Sequence, residues 1–224
     1  MTDEQKVKKY FEKSIADFDL LYVDEKSWFR KFLDRRFRYD NYERYELTLQ
    51  ECADIEGKRV LDIGCGSGRY SVDLAKLGAG CVVGIDFAQS AVDIASKLAE
   101  NDGVSNVCSF ISADFKDCKF NDPFHICLAI GVMDYVSDPV DLISKIRETT
   151  TEKLIMSFPS KSTYRMAIRK TRYWLKGCPL FFYNRDDIQR IFAKVGIQDY
   201  TITKLSGCDN SGDFFVVARL VKNG

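Results

Sequence analysis

Two carboxylates and a glycine-rich turn have the residue types and the spacing of a small-molecule binding site. An apolar run that begins at Val60 contains Asp62 and is followed by glycines at every second position, at 64, 66 and 68. A second carboxylate, Asp86, ends the next apolar run, which begins at Cys81. This order predicts a strand, a glycine loop, a helix and a second strand whose tip carries a carboxylate. A unit of this kind binds a cofactor that contains adenosine.

The spacing of the glycines and the position of Asp62 distinguish between classes of cofactor. Dinucleotide sites use G-x-G-x-x-G, because a pyrophosphate must approach backbone amides at a helix N-terminus, whereas this loop reads G-x-G-x-G. The Asp62 carboxylate would repel a pyrophosphate. S-adenosylmethionine has no phosphate and carries an ammonium and a cationic sulfur, so it suits Asp62, which either binds that end directly or orders the loop. Asp86 can accept hydrogen bonds from both ribose hydroxyls. A dinucleotide site and an ordinary strand-to-helix turn stay open as alternatives.

The stretch from 60 to 70 resembles the first motif of the class I S-adenosylmethionine-dependent methyltransferases. In this family an acid after the third strand lies beside the adenine amino group, and the matching residue is Asp114, with Ala113 and Phe115 next to the ring. The overall pattern also resembles the quinone-biosynthesis and magnesium-protoporphyrin methyltransferase branch. The resemblance therefore implies a methyltransferase with S-adenosyl-L-methionine as its cofactor. The cofactor-binding residues that it implies are Asp62, Gly64, Cys65, Gly66, Ser67, Gly68, Asp86, Phe87, Ala113, Asp114, Phe115 and Ile130.

Catalytic candidates are the polar side chains expected at the carboxyl ends of the strands, where such sheets bind ligands. Methyl transfer requires alignment of the acceptor with the activated methyl group, and a base only when the acceptor is a poor nucleophile. Asp134 and Tyr135 follow the fourth strand and are the first candidates, with Tyr164 and Tyr183 next if the later insertion closes over the site. Each can equally be a helix cap, a core aromatic or a surface residue. His125 begins the fourth strand, about 20 Å from that edge, so we expect a structural role for it.

A metal site is not expected. Metal-dependent catechol methyltransferases use an Asp-Asn pair after the fifth strand, where this chain reads Ser157-Phe158-Pro159-Ser160. The sequence has one histidine, and its eight cysteines form no C-x-x-C pair, so no cluster of zinc ligands is apparent. We expect the cysteines to be small buried residues rather than disulfides.

Composition restricts the class of protein. The chain has 224 residues, of which 46% are hydrophobic, and this fits one α/β domain with a substantial core. Its 33 basic and 33 acidic residues cancel, which argues against a nucleic-acid partner held by bulk charge. No uncharged apolar segment is long enough to span a membrane, and the charged N-terminus lacks an apolar signal core. We therefore expect a cytoplasmic protein; its oligomeric state stays open.

Alternating apolar runs and amphipathic stretches predict an α/β fold with a Rossmann-like, seven-stranded, mostly parallel sheet. The last strand is expected to be antiparallel, and helices are expected on both faces. Strands are predicted near 59–63, 81–86, 107–112, 125–131, 153–158, 200–205 and 214–220. Helices are predicted near 7–22, 27–52, 68–77, 89–101, 139–149 and 185–194.

These elements predict a single methyltransferase domain over 1–224. Its expected parts are an N-terminal helical cap (1–52), a cofactor-binding core (58–159), a lid insertion after the fifth strand (160–183), and a C-terminal helix and hairpin (184–224).

The insertion carries basic residues at helical spacing without any acid among them. On a helix they would form one stripe, beside the apolar residues Tyr164, Ile168 and Leu175. A lid with an apolar underside and a basic rim would suit a small, partly apolar acceptor with an anionic group. A helix on an anionic membrane surface and an ordinary solvated face are the alternatives. The stripe consists of Lys161, Arg165, Arg169, Arg172 and Lys176.

The function that these patterns favour is transfer of a methyl group to an O, N or C atom of a small, partly apolar molecule. A protein that binds S-adenosylmethionine without transferring its methyl group, and a nicotinamide-dependent oxidoreductase, are the alternatives. The partner is expected to be the small-molecule acceptor, with peripheral membrane contact as a further option and no nucleic acid.

Overall fold

Seven apolar runs form one mixed β-sheet in the computed structural model, which describes residues 2–3, 5–10, 39–161, 170–171, 173–175, 177–206 and 212–220. The strands are β1 (Arg59–Ile63), β2 (Cys81–Asp86), β3 (Cys108–Ser112), β4 (Phe124–Ala129), β5 (Thr150–Phe158), β6 (Tyr200–Lys204) and β7 (Phe214–Arg219). In the described part of the chain the strand order is β3-β2-β1-β4-β5-β7-β6. The first five strands pair in parallel, and β7 is antiparallel to both of its neighbours.

The helices are α1 (Tyr39–Glu51), α2 (Arg69–Lys76), α3 (Gln89–Asn101), α4 (Pro139–Thr149) and α5 (Arg185–Val195). Two of them begin at a side-chain cap. The helix α4 has Asp138 as its N-cap, whose side chain accepts the Val140 N–H, and a proline at its first position. A capping box between Asn184 and Asp187 starts α5, and Gly196 ends it in the left-handed conformation.

The core lies on both faces of the sheet. Alternate residues of β1 belong to different clusters: Leu61 and Ile63 pack on the face covered by α4 and α5, and Val60 packs on the face covered by α1 and α2. The chain leaves β1 in one direction through β2 and β3, and then returns to the other side of β1 as β4. The carboxyl ends of β1 and β4 therefore mark the switch in strand order, where ligands of such sheets bind. The predicted fold class is confirmed.

Two strand boundaries differ from the prediction by more than one residue. β5 begins at Thr150 rather than near 153, because α4 runs into it without a loop and the Thr150 hydroxyl donates to the Ile146 carbonyl, 2.7 Å away. β4 ends at Ala129 rather than at 131, because Gly131 adopts a φ of 75° and donates its N–H to the Ser157 side chain. Both differences occur where polar residues or a glycine replace the apolar signal of a strand.

Several expectations fall partly outside the described residues. The structure describes the predicted helices near 7–22 and 27–52 only at residues 7–10 and 39–52. It also leaves out four basic residues of the insertion, Arg165, Arg169, Arg172 and Lys176. At the N-terminus, Thr2 and Gln5 exchange the two hydrogen bonds of a capping box. Among the helices of the described residues, not one is both long enough and apolar enough to cross a bilayer.

Candidate functional site

The glycine loop after β1 opens on empty space at one of its three glycines. A Cβ added at Gly64 would lie 2.8 Å from the Val132 side chain, and one added at Gly68 would lie 2.6 Å from the Ala95 Cβ, so these two glycines permit close packing. Gly66 has a φ of 53°, and an added Cβ there would meet no atom within 4 Å. Only at Gly66 does the space beside the backbone remain for a ligand, as expected of a loop that cradles a cofactor.

Asp86 holds the tip of this loop. Its Oδ2 accepts the Gly66 N–H at 3.1 Å and its Oδ1 accepts the Ala88 N–H at 3.0 Å. Burial raises the pKa of the Asp86 carboxyl, and the hydrogen bonds from Ala88 and Gly66 oppose this rise. A carboxylate has about four lone-pair sites, and the Gly66, Phe87 and Ala88 N–H groups use three of them, so Asp86 can fix the loop and still accept from a ribose hydroxyl.

Asp62 is buried below the loop. The Ser71 hydroxyl on α2 donates to its Oδ2 at 2.7 Å, so the carboxyl fastens β1 to the helix that follows the glycines. Burial raises the pKa of Asp62 to about 6; the Ser71 hydrogen bond lowers it, and the negative charge of Asp86 raises it. A cationic group near the loop would favour the ionised form of this carboxyl.

Asp114 lies at the end of β3 and is engaged from two sides. Its Oδ1 accepts the Lys116 N–H at 3.0 Å, and the Lys8 ammonium lies 3.0 Å from its Oδ2. Burial alone would raise the pKa of Asp114. The bonds from Lys116 and Lys8 outweigh burial and hold the pKa of this carboxyl below its usual value. The neighbouring Ala113 donates its N–H to the Asp86 carbonyl, which brings these two strand ends together. Phe115 is buried in the core against Phe120, which leaves little of its ring for a ligand.

The other residues that the resemblance implies also lie at this edge. Cys65 is buried, and burial raises the pKa of its thiol far above the usual value, so it is an inert packing residue. Ser67 is partly exposed within the loop. Ile130 is buried at the end of β4. The structure thus brings the predicted residues to one sheet edge.

An apolar cluster lies over this edge and joins distant segments of the chain. The Tyr10 and Tyr173 rings are 5.5 Å apart, and the Tyr135 and Tyr173 rings are 6.4 Å apart. Tyr10 belongs to helical residues 5–10, Tyr173 belongs to the end of the insertion, and Tyr135 follows β4. We call this group the cap cluster; it consists of Val7, Tyr10, Phe87, Tyr135, Tyr173 and Cys178.

The two catalytic candidates lie in a single 3₁₀ turn, Met133–Tyr135. Asp134 is buried, and its carbonyl accepts the Phe181 N–H at 2.8 Å. Burial raises the pKa of the Cys178 thiol to about 11, with a contribution from the charge of Asp134. Tyr135 is partly buried in the cap cluster. The turn is therefore tied to the segment that returns from the insertion.

Two further tyrosines were catalytic candidates. Tyr164 lies outside the described residues, and Tyr183 is buried with its hydroxyl in a hydrogen bond to the backbone. The Tyr183 hydroxyl donates to the Val136 carbonyl at 2.7 Å. Burial raises the pKa of Tyr183 well above its usual value, and the charge of Asp134 contributes. A phenol held in this way is a poor base at neutral pH.

Sequence reasoning missed three polar residues at this edge. The Ser157 hydroxyl at the end of β5 accepts the Gly131 N–H at 2.8 Å and a hydrogen bond from the Arg44 guanidinium at 3.3 Å. Lys8, which bonds to Asp114, is the third. Ser157 could have been noticed as a buried polar residue at the end of an apolar strand. Arg44 and Lys8 come from amphipathic segments whose sequence does not indicate which edge of the sheet they reach.

His125 lies at the opposite edge, as expected. Its Nδ1 accepts the Arg59 N–H at 2.9 Å, next to the first paired residues of β1 and β4.

We predict that His125→Ala lowers the free energy of unfolding by about 1 kcal/mol, because the Arg59 N–H loses its partner, and leaves kcat unchanged. Chemical denaturation and steady-state kinetics would check this. A large fall in kcat with fold and cofactor affinity intact would contradict it.

Comparison with known proteins identifies the family. A family model described as a methyltransferase domain matches residues 54–196, more than half of the chain. The chain belongs to the class I S-adenosylmethionine-dependent methyltransferases. The predicted enzyme class and the predicted cofactor, S-adenosylmethionine, are confirmed at the level of this family. The family assignment excludes the nicotinamide alternative.

Relatives in this methyltransferase family act on different kinds of molecule, according to their names. Human EEF1A lysine methyltransferase 2 is 31% identical over 136 residues, which cover 58% of this chain and 57% of that protein. The ubiquinone biosynthesis O-methyltransferase of Actinobacillus pleuropneumoniae serotype 7 is 27% identical over 146 residues, 61% of each chain. The matches therefore span about three fifths of the length of these relatives.

A solved methyltransferase structure has the same fold over nearly the whole chain. The magnesium protoporphyrin IX methyltransferase ChlM from Synechocystis PCC 6803, with bound SAH, superposes with a TM-score of 0.80 and covers 97% of this chain and 100% of its own. At 20% sequence identity, this likeness concerns the fold.

Proposed function

We propose that this methyltransferase acts on an O, N or C atom of a small, partly apolar acceptor that binds beneath the cap cluster. The observation that carries the proposal is the position of that cluster. It joins helical residues 5–10 and the end of the insertion to Phe87, directly after the cofactor carboxylate Asp86, and to Tyr135. An aromatic wall beside the cofactor edge suits an acceptor with an apolar surface.

The residues around the glycine loop have separate roles in this proposal. The open side of Gly66 and the carboxylate of Asp86 hold the ribose, Asp114 accepts from the adenine amino group, and Asp62 balances the cationic end of the cofactor. When bound, S-adenosylmethionine supplies a methyl group that its sulfonium already activates. The protein therefore needs to align the acceptor and exclude water, which is the role we assign to residues 5–10 and the insertion 160–183 as a cap.

Asp134 and Tyr135 are the proposed catalytic residues. Their variants distinguish a general base, which removes a proton from the acceptor, from a side chain that only forms the pocket. If the Tyr135 ring only forms the pocket, Tyr135→Phe keeps kcat and Tyr135→Ala raises the acceptor KM. If its hydroxyl removes a proton, Tyr135→Phe lowers kcat by about 10²–10⁴-fold, the usual contribution of such catalysis. Asp134→Asn tests the buried carboxyl in the same way, and Tyr200→Phe on β6, far from the site, is the matched control.

The acceptor class is the finer part of the proposal, and the relatives support two candidates. The ubiquinone biosynthesis enzyme is named for a small apolar product, and the human lysine methyltransferase is named for a protein acceptor. We favour the small molecule because the cap cluster covers the site with side chains from this chain itself. A protein side chain would need a channel through that cover.

The test is production of S-adenosylhomocysteine with two panels of acceptors. One panel holds phenols, carboxylic acids and amines of mixed polarity, and the other holds folded proteins with exposed lysines. We expect turnover with members of the first panel only, and Tyr173→Ala should raise KM for them without changing the affinity for S-adenosylhomocysteine. Turnover only with proteins would overturn the acceptor class. Tight cofactor binding without turnover in either panel would favour the non-catalytic alternative.

We predict that methyl transfer needs no divalent metal ion. The segment after β5 lacks paired acids, and the described residues contain no group of three His, Cys, Asp or Glu that could hold a metal. Dialysis against EDTA should leave kcat unchanged. Activity that is lost with EDTA and restored by Mg²⁺, but not by dilution, would contradict the prediction.

A further inference from the structure

The end of the insertion has a fixed orientation on the protein. Residues 173–175 are helical, and Gly177 follows with a φ of 71°. The Gly177 N–H donates to the Trp174 carbonyl at 2.9 Å, and the Cys178 N–H donates to the Tyr173 carbonyl at 3.0 Å. These two bonds with a left-handed glycine form a Schellman motif, and the contact of Tyr173 with Cys178 in the cap cluster completes it. The Tyr173 ring is thereby held on the inner side, over the cofactor edge.

The next two side chains lie on the outer side. A helix turns by about 100° per residue, so an inward Tyr173 leaves Trp174 and Leu175 facing away from it. Their exposed fractions are 74% and 73%, higher than those of the other exposed large apolar side chains in the described part of the chain. Single exposed apolar residues are common on protein surfaces, but two adjacent ones of this size form a patch that indicates an interaction.

The charge of the sequence that flanks this pair indicates the partner. Residues 161–176 contain six Lys or Arg and no Asp or Glu, in a chain whose overall charge is zero. Of these, Lys170 is described and exposed, and Lys161 is paired with Asp187. Tryptophan is favoured at the interface of a bilayer, where its ring is partly apolar and its N–H stays near water. Trp and Leu among basic residues without acids are typical of segments that bind anionic membranes.

We propose that the outer side of helical residues 173–175, where Trp174 and Leu175 are exposed, docks on an anionic phospholipid surface. The same short helix would then have two roles: its inner side contributes Tyr173 to the cap cluster, and its outer side contributes the exposed apolar pair. Docking brings the covered site next to the bilayer, from which an apolar acceptor can enter. This last consequence rests on the proposed function, whereas the docking itself does not.

The first experiment follows the fluorescence of Trp174. The chain has two tryptophans, at 28 and 174, so the variant Trp28→Phe leaves Trp174 as the only indole emitter. We expect its emission maximum to move to shorter wavelength with vesicles of equal parts phosphatidylcholine and phosphatidylglycerol, and to stay unchanged with phosphatidylcholine alone. High salt should weaken the change, because it screens the basic residues. No shift with the anionic vesicles at low salt would overturn the proposal.

The second experiment measures sedimentation of the protein with the same vesicles. The double variant Trp174→Ser/Leu175→Ser should bind at least about tenfold more weakly, because the apolar insertion is lost. The double variant Tyr42→Ser/Leu77→Ser, at two exposed apolar positions elsewhere, is the matched control and should bind as the wild type does. S-adenosylhomocysteine should raise the Tm of all three proteins equally, which confirms their fold.

Two results would contradict membrane docking. Equal vesicle binding by the Trp174→Ser/Leu175→Ser variant and the wild type would show that these two side chains do not contact the membrane. A wild type that does not bind vesicles but forms a dimer that the same variant dissolves would show that the patch binds a second copy of the chain. Because the vesicle assay needs no acceptor and no turnover, its outcome is separate from that of the proposed methyl transfer.

Discussion

Gly66→Ala will weaken the binding of S-adenosylhomocysteine by about ten- to a hundredfold, whereas Gly57→Ala will leave it unchanged. Both glycines have positive φ values, 53° and 69°, and an added Cβ would meet no protein atom within 4 Å at either position. The two variants therefore carry the same backbone strain, about 1–2 kcal/mol for a left-handed residue with a Cβ. They differ only in what lies beside the new methyl group, because Gly57 precedes β1 at the opposite edge of the sheet.

We expect the affinity of Gly66→Ala to fall by about ten- to a hundredfold, since filling a closely fitted space costs about 1–3 kcal/mol. Isothermal titration calorimetry measures the affinity, and denaturation confirms an equal loss of stability in both variants. If Gly66→Ala bound the cofactor as well as Gly57→Ala does, the open side of the loop would not be the cofactor site.

Asp62→Asn will change stability and cofactor affinity in opposite directions. In the folded protein the pKa of Asp62 is about 6, compared with 3.8 for the free side chain, so the folded state holds the proton more tightly than the unfolded chain. The stability that this group contributes is fully present below about pH 4 and is lost as the pH rises through 6. Above that pH, the buried charge costs about 3 kcal/mol in the absence of cofactor.

Ser71 donates two hydrogen bonds to Asp62, from its hydroxyl and from its backbone N–H. Asparagine keeps the shape and can keep the bond from the hydroxyl, without the charge. We expect Asp62→Asn to raise the free energy of unfolding by about 1–3 kcal/mol at pH 8 and not at pH 4, because the variant no longer ionises. Its affinity for S-adenosylhomocysteine should fall by about 1.5–3 kcal/mol, the range for a hydrogen bond to a charged group. In the wild type, the same affinity should weaken as the pH falls below 6.

The control for Asp62→Asn is Asp93→Asn, an exposed carboxylate on α3, which should change neither quantity. A variant that is more stable at pH 8 and binds the cofactor normally would show that Asp62 only joins β1 to α2. A variant that is less stable at every pH would show that the carboxyl is neutral or fully compensated in the folded protein.

The sequence predicted the sheet and the glycine loop well because these features have local signals. Strand β2 and helices α3 and α4 lie at their predicted bounds, since apolar runs mark these elements and Asp138 caps the start of α4. The site residues that were missed, Arg44 and Lys8, have no such signal. Helical periodicity shows that their segments pack on something, but the contacts with Ser157 and Asp114 depend on how those segments cross the sheet.

Phe115 illustrates the same limit within a predicted motif. Its place after Asp114 fitted the family pattern, but the direction of a side chain beyond a strand end depends on the following turn. Here that turn is 3₁₀, and it places the Phe115 ring in the core, where the Lys145 ammonium lies over it. Position along the chain therefore located the adenine end of the site, and three-dimensional packing decided which atoms remain available to it.

Three buried cysteines can report on local opening of the protein through the rates at which they are chemically labelled. Cys127 lies within β4 in the centre of the core, Cys65 lies in the glycine loop, and Cys178 lies in the cap cluster. Burial raises the pKa of all three thiols, so alkylation requires each site to open first. The labelling rate of Cys178 would therefore report the opening of the cap, and that of Cys65 would report the opening of the glycine loop. Cys127 would react only when the whole sheet unfolds.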